Sequence, residues 1–329
     1  MPLAPFGWTA GPIPVTPAKV TIPSGDEELL VKLVDDLVYY EERGAKPFQL
    51  SLSFWMPRGA APFPVVMWIH AGAWSVGDRH ADVAVAQRFA RDGIGFVSID
   101  HRLSPSRWLY PVKTTGGTSP EGVARQGTTE GVRHPEHVKD CARAFAWLHR
   151  HVAEYGGNPQ ALFVAGHSSG GHLAALLALD PAYVAAQGLS LTAIAGAMPL
   201  DGTYDFVDYH AKISSLPAYG PAFADDHLSS VVGPTKVEWK EASPVSYLTK
   251  GAGPVPMLVL FERKASEGAF GNYADVFRKA VERAGSSRIR FLEVKDRDHA
   301  TLGSAMANHG PDAGRQAMED FIKQWARKP

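Results

Sequence analysis

The chain has 329 residues, of which 45% are hydrophobic and 20% charged, and its formal net charge is −1 at pH 7. That is ordinary globular composition, long enough for one or two domains, and a near-neutral chain offers no electrostatic case for nucleic acid or an anionic membrane surface. The single cysteine, Cys141, excludes an internal disulfide framework and a cysteine-based zinc site; set in an apolar helical stretch, it reads as a small core residue.

The first residues, MPLAPFGWTAGPIPV, carry no cationic start and no apolar run of signal-peptide length. No segment approaches the ~20 apolar residues that span a bilayer. A soluble, cytoplasmic protein is the expectation. Residues 1–24 are proline-rich and read as a surface arm. VDDLVYYE (34–41) and FQLSLSFWMP (48–57) read as a hairpin joined by a glycine-containing turn. PVVMWIH (64–70) and GFVSID (95–100) are short continuous apolar runs, as suits strands buried on both faces, with a helix over 78–92 between them. A longer helix follows at 134–156, with Pro135 near its start and Gly156 at its end. Next come a strand at 161–167 and a helix at 169–180. LTAIAGAMPL, PMLVLF and IRFLEV are three further strands, and helices are expected at 272–284 and about 312–327. After the hairpin the pattern alternates strand and helix, which predicts an α/β fold with a mostly parallel sheet covered on both faces. Two long stretches break the rhythm, near 104–133 and 203–250. They read as lid-like insertions in a single domain spanning 1–329.

FVAGHSSGGHLAALLAL holds the strongest signal. Gly166-x-Ser168-x-Gly170 stands between an apolar strand and an apolar helix. A serine at so sharp a turn adopts a strained backbone and needs small neighbours two residues away. The turn exposes the hydroxyl, and the amide of Ser169 faces a developing oxyanion. Upstream, His70-Ala71-Gly72-Ala73-Trp74 follows a strand. Its small residues let the loop bring the N–H groups of Gly72 or Ala73 close to the serine, beside that of Ser169. His70 reads as structural.

With these motifs the chain resembles the α/β-hydrolase superfamily, within its esterase/lipase group, and is similar to hormone-sensitive-lipase-like esterases and arylformamidases. Those families carry HGGG or HGG-aromatic-Trp where this chain has residues 70–74, and GHSAGG-like elbows where it has Gly166-His167-Ser168-Ser169-Gly170-Gly171. DHRLSP (100–105) and LDGTYD (200–205) resemble their DYRLSP and SGxYD segments. The likeness covers roughly residues 35–325 and implies the α/β-hydrolase fold. Ala71 departs from it, a methyl group where glycine is usual.

The resemblance also implies a base after the last strand, and IRFLEVKDRDHATLG supplies His299 there, in the chain order serine, acid, histidine. His172 reads as packed, and His134 and His137 as capping or exposed. The acid is the open question. The usual place past PMLVLF holds Lys264 and Ala265. Asp201 follows the preceding strand and is the leading candidate. Glu267, two residues late in the expected loop, is the runner-up, and Glu262 at the strand end ranks third.

These parts predict a serine hydrolase that cleaves a carboxylic ester, or an activated acyl or N-formyl group, with no metal and no cofactor. A non-catalytic small-molecule binder of the same fold is the alternative, motivated by the missing aspartate and by Ala71. An acyltransferase using the same site is another. HPEH (134–137) is a weak metal motif without a further ligand. Trp74, Trp108, Tyr110, Tyr204, Tyr209 and Phe270 hint at a neutral, apolar or aromatic small-molecule substrate. The composition speaks against nucleic acid and membrane as partners, and the oligomeric state is left open.

Overall fold

Continuous apolar runs can be buried on both faces only if helices cover both sides of the sheet, and the chain folds accordingly. The computed structural model describes residues 16–18, 31–42, 48–59, 61–105, 130–216, 219–249, 255–263, 273–308 and 310–326. Strands β1 (Thr16–Ala18), β2 (Val31–Glu42) and β3 (Phe48–Met56) come first, then β4 (Phe63–Ile69), helix α1 (Val83–Arg91) and β5 (Gly95–Ile99). Next are α2 (Glu136–His151), β6 (Gly157–His167), α3 (Ser169–Leu179), α4 (Pro181–Ala185) and β7 (Gly196–Leu200). Three helices follow, α5 (Phe206–Ser215), α6 (Gly220–Val231) and α7 (Lys236–Ala242). The chain closes with β8 (Met257–Phe261), α8 (Ala274–Ala284), β9 (Ile289–Glu293), α9 (His299–Ser304) and α10 (Ala313–Trp325).

The described residues form a nine-stranded sheet of order β1-β2-β3-β5-β4-β6-β7-β8-β9. The pairs from β1 through β3 to β5 are antiparallel, and every pair from β5 onward is parallel. Alternate residues of β4 divide the core. Val65, Met67 and Ile69 pack with α2, α3 and α5–α8, whereas Val66 and Trp68 pack with α1, α9 and α10. Cys141 is a fully buried member of the first layer. Helix α3 is buried along its whole length, which explains why it is apolar all round.

Differences from the sequence expectations have local causes. The helix expected over 78–92 starts only at Val83, because Asp78 caps a turn through the His80 N–H and the Asp82 carboxylate accepts the Trp68 indole N–H. The helix from 134 ends at His151, then tightens into a 3₁₀ turn, Val152–Tyr155, and stops at Gly156 with φ 87°. The described residues within 203–250 form a succession of short helices. Asp205 caps α5, and Thr235 with Glu238 forms a capping box on α7. Of the expected arm 1–24 only β1 is described, pairing along β2, and most of the 104–133 insertion lies outside the described residues.

Candidate active site

Strand β6 turns into α3 at Ser168, whose φ of 56° and ψ of −119° put a serine in a region that costs about 1–3 kcal/mol. Its amide is held by the Leu200 carbonyl at 2.9 Å. The elbow tolerates no side chain at its flanks. A Cβ on Gly170 would lie 2.0 Å from the Ile69 carbonyl oxygen, and one on Gly166 would lie 2.6 Å from the Gly170 carbonyl carbon. The close approach locks the ends of β4 and β6 to the start of α3.

His299 opens α9, one residue after Asp298, which caps that helix through the Thr301 N–H at 2.8 Å. Its Nε2 lies 3.0 Å from Ser168 Oγ, and its Nδ1 lies 2.5 Å from Asp201 Oδ2. Asp201 follows β7 in a left-handed conformation, φ 43°, and its amide donates to the Leu260 carbonyl at 2.8 Å. The Asp201 side chain is wholly buried. An Nδ1–H donated to the carboxylate leaves the Nε2 lone pair facing the serine hydroxyl, the arrangement a general base requires. Burial by itself would lower the His299 pKa. The hydrogen bond and charge of Asp201, joined by the charges of Glu262 and Asp298, outweigh it and hold His299 above its ordinary value. Asp201, the leading candidate acid, is thus hydrogen-bonded to His299. Glu262 is completely buried at the end of β8, and Glu267 lies outside the described residues.

The loop after β4 turns sharply. Gly72 has φ 135°, and a Cβ there would sit 2.0 Å from the Val76 carbonyl oxygen. Its carbonyl accepts the N–H groups of Ser75 and Val76, both at 3.0 Å. Ala73 and Trp74 follow at φ 50° and 61°. Among the described residues the amides of Gly72 and Ala73 donate to no protein acceptor, and Ser169 holds the first position of α3, where helical N–H groups have no intrahelical partner. Ala71 is partly exposed and outside the positive-φ run, so its methyl group is accommodated.

Trp74 anchors this loop. Its indole N–H donates to His172 Nδ1 at 2.9 Å, and His172 Nε2 donates to the Ala242 carbonyl at 2.8 Å. Both ring nitrogens of His172 are thereby committed in the neutral form, and burial pushes its pKa down to about 3. Phe206, Tyr209 and His227 pack their rings on the same indole. Below the loop, His70 bonds the Ala71 carbonyl through Nδ1 at 2.8 Å and stacks on His101.

Other residues take places that the sequence did not give. His137 is neither a cap nor exposed; it is buried and hydrogen-bonded to Ser104 Oγ at 2.8 Å. Tyr204 stacks on Phe277 in the core, and Trp74 and Tyr209 are also buried. Trp108, Tyr110 and Phe270 lie outside the described residues. His167 was not singled out, yet its ring packs at 4.9 Å against that of His299, and burial beside that histidine pushes its pKa down to about 3. Its place directly before the serine was the available signal. Among the described residues no group of three or more His, Cys, Asp or Glu is arranged to hold a metal ion, and no helix is long and apolar enough to cross a membrane.

A parallel sheet with an antiparallel start, helices on both faces, and a serine on a strand-to-helix elbow define an α/β-hydrolase fold. Solved structures agree on the fold: esterase B from Lactobacillus rhamnosis superposes with a TM-score of 0.67 at 16% identity, covering 89% of this chain and 88% of that one. The chain belongs to the BD-FAE family, which matches residues 52–113 and 128–261. Among curated relatives, the probable carboxylic ester hydrolase LipM of Mycobacterium tuberculosis is 27% identical over 264 residues, 78% of this chain and 54% of its own length. Esterase LipC of the same organism is 31% identical over 295 residues, 85% of this chain and 63% of its own length. The chain thus spans less than two thirds of these relatives.

Proposed function

We propose that this chain is a serine hydrolase that cleaves small-molecule carboxylic esters through an acyl-enzyme on Ser168. The observation that carries the reading is the hydrogen-bonded line from Ser168 Oγ through His299 to Asp201. Ser168 Oγ attacks the ester carbonyl while its proton passes to His299 Nε2. Asp201 holds the ring in the required tautomer and stabilises the imidazolium. The amides of Ser169 and of Gly72 or Ala73 receive the oxyanion. His299 then gives the proton to the departing alkoxide. A water attacks the acyl-enzyme with the same base, and the acid is released. Ser168, His299 and water account for every proton and electron pair, so the cycle calls for no cofactor.

The names of LipM and LipC as ester hydrolases support an ester over an N-formyl amide. The binder alternative loses its chief motive, since an acid stands on His299 although the usual position lacks one. A net charge of −1 favours neutral esters over strongly charged ones. We read the region from β2 onward as one domain, with α5–α7 forming the wall behind the oxyanion loop.

Intact-mass labelling with a fluorophosphonate tests the reading. One adduct is expected on the wild-type protein and none on Ser168→Ala, together with turnover of p-nitrophenyl acetate by the former alone. A wild-type protein that neither labels nor turns over would refute it.

A further inference from the structure

We propose that Glu262 is a second carboxylate acting on His299, a positioning residue that shares with Asp201 the stabilisation of the imidazolium formed when Ser168 loses its proton. The proposal rests on the serine-hydrolase reading above and adds to it a residue that does not touch the reacting atoms.

Placement comes first. Leu200 pairs with Leu260, and Leu260 with Leu292, so the ends of β7, β8 and β9 lie in register. The Asp201 amide bonds the Leu260 carbonyl on one side of β8, and the Val294 amide bonds the Phe261 carbonyl on the other. Glu262 therefore leaves the sheet between the strand that delivers Asp201 and the strand that leads to His299. Two residues on from Leu260, it continues the side of β8 that packs with Leu302 of α9, the helix His299 begins. It is 0% exposed. Its neighbour Arg263 is turned outward and paired with Asp275 and Glu293.

A buried carboxylate is expensive, and an apolar side chain of similar volume would usually stabilise the fold at least as well. Its retention beside a histidine that must become cationic during the reaction has a physical use. Among the described residues, the titratable groups that act on His299 come from four elements: Asp201 after β7, Glu262 after β8, Asp298 at its own helix cap and the neutral His167 at the end of β6. The three carboxylates all favour the cation, and His167, pushed down to about 3 by burial, stays neutral beside it. Asp201 already receives the Nδ1 proton, so Glu262 acts through space, by charge and not by fixing the tautomer.

The test is Glu262→Gln, which removes the charge and keeps the shape. Two readouts are used: NMR titration of the His299 imidazole, and the pH profile of kcat/KM on p-nitrophenyl acetate. The His299 pKa and the acid limb are expected to fall together by roughly half to one unit, with a plateau kcat about three- to tenfold lower and KM little changed. In Asp201→Asn the same second substitution should lower the His299 pKa further. A folded Glu262→Gln protein whose His299 titrates as in wild type overturns the proposal, and a merely structural glutamate would give that result along with a lower melting temperature. Should the variant not fold, the Glu262 carboxyl ¹³C shift in the wild-type protein decides: an ionised group at neutral pH supports the proposal, a protonated one overturns it. The NMR readings stand whether or not esters are cleaved, so they fail separately from the hydrolase reading.

Discussion

Asp201→Asn is the substitution that examines the site most directly. It preserves the volume of a fully buried side chain and removes the anion from a 2.5 Å hydrogen bond to His299 Nδ1. Two losses follow. The imidazolium formed in the transition state loses its buried partner, and removing one member of such a pair costs about 3–5 kcal/mol, a factor of roughly 10² to 10⁴. The amide can also turn its NH₂ toward Nδ1. The proton then moves to Nε2, which can no longer accept from Ser168, and that change in a Ser-His-Asp triad is on the order of 10⁴. The two losses overlap and do not add, so turnover should drop by about 10² to 10⁴ with KM little changed. The pH profile carries a second signature. The base works neutral, so wild-type activity falls as pH drops through a His299 value held above the ordinary one. Without Asp201 burial is less opposed, and the limb should move to lower pH. The assay is kcat/KM from about pH 5 to 9 with the fluorophosphonate labelling rate alongside. Glu267→Gln is the control and should leave both unchanged, because the single Nδ1 proton is already donated to Asp201. A loss below about fivefold in Asp201→Asn would refute the reasoning, since it lies far under either estimate.

Further tests address packing and acid stability. Gly170→Ala would place a Cβ 2.0 Å from the Ile69 carbonyl oxygen, so the elbow must move by about 1 Å; stability should fall by about 1–3 kcal/mol and labelling by on the order of 10². Labelling at the wild-type rate would contradict that. Acid should destabilise the fold through buried histidines: His101 and His172 are pushed down to about 3 and His227 to about 4 by burial. The unfolded chain binds these protons near pH 6.5 while the folded one does not. The stability they contribute is therefore full above that value and is lost as pH falls, at about 1.4 kcal/mol per pH unit for each histidine. His299 runs the other way, since its raised value favours the folded protonated form until pH rises through it. Urea unfolding across about pH 6 to 4 should show a slope of at least about 4 kcal/mol per unit, the share of His101, His172 and His227 alone, since His167 is pushed down to about 3 as well; a flat profile contradicts it.

The parts that could be read in the sequence are those whose meaning is local. Gly166, Ser168 and Gly170 sit within one strand-turn-helix, so spacing alone located the turn that the structure shows. The choice among Asp201, Glu262 and Glu267 was not local. It depends on which strand end faces the loop before α9, and that is set by sheet order. The helices at 206–242 were hidden because each is short and Gly220 and Gly233, with φ of 75° and 144°, interrupt any longer period. The Thr235-x-x-Glu238 capping box was there to be read. His137 was misplaced for a different reason. A lone polar or aromatic residue carries no sign of whether it faces solvent until its neighbours are known.

The bonds joining Trp74, His172 and the Ala242 carbonyl form a directional wire. An indole can only give a hydrogen, a carbonyl can only take one, and the imidazole between them must do both at opposite edges. No other side chain offers an acceptor and a donor across a rigid ring of that width. The loop after β4 and the end of α7 are therefore a matched pair. Chimeras that exchange the loop after β4 without α3 have to keep the tryptophan and the histidine together, or they strand a hydrogen-bonding group in the interior.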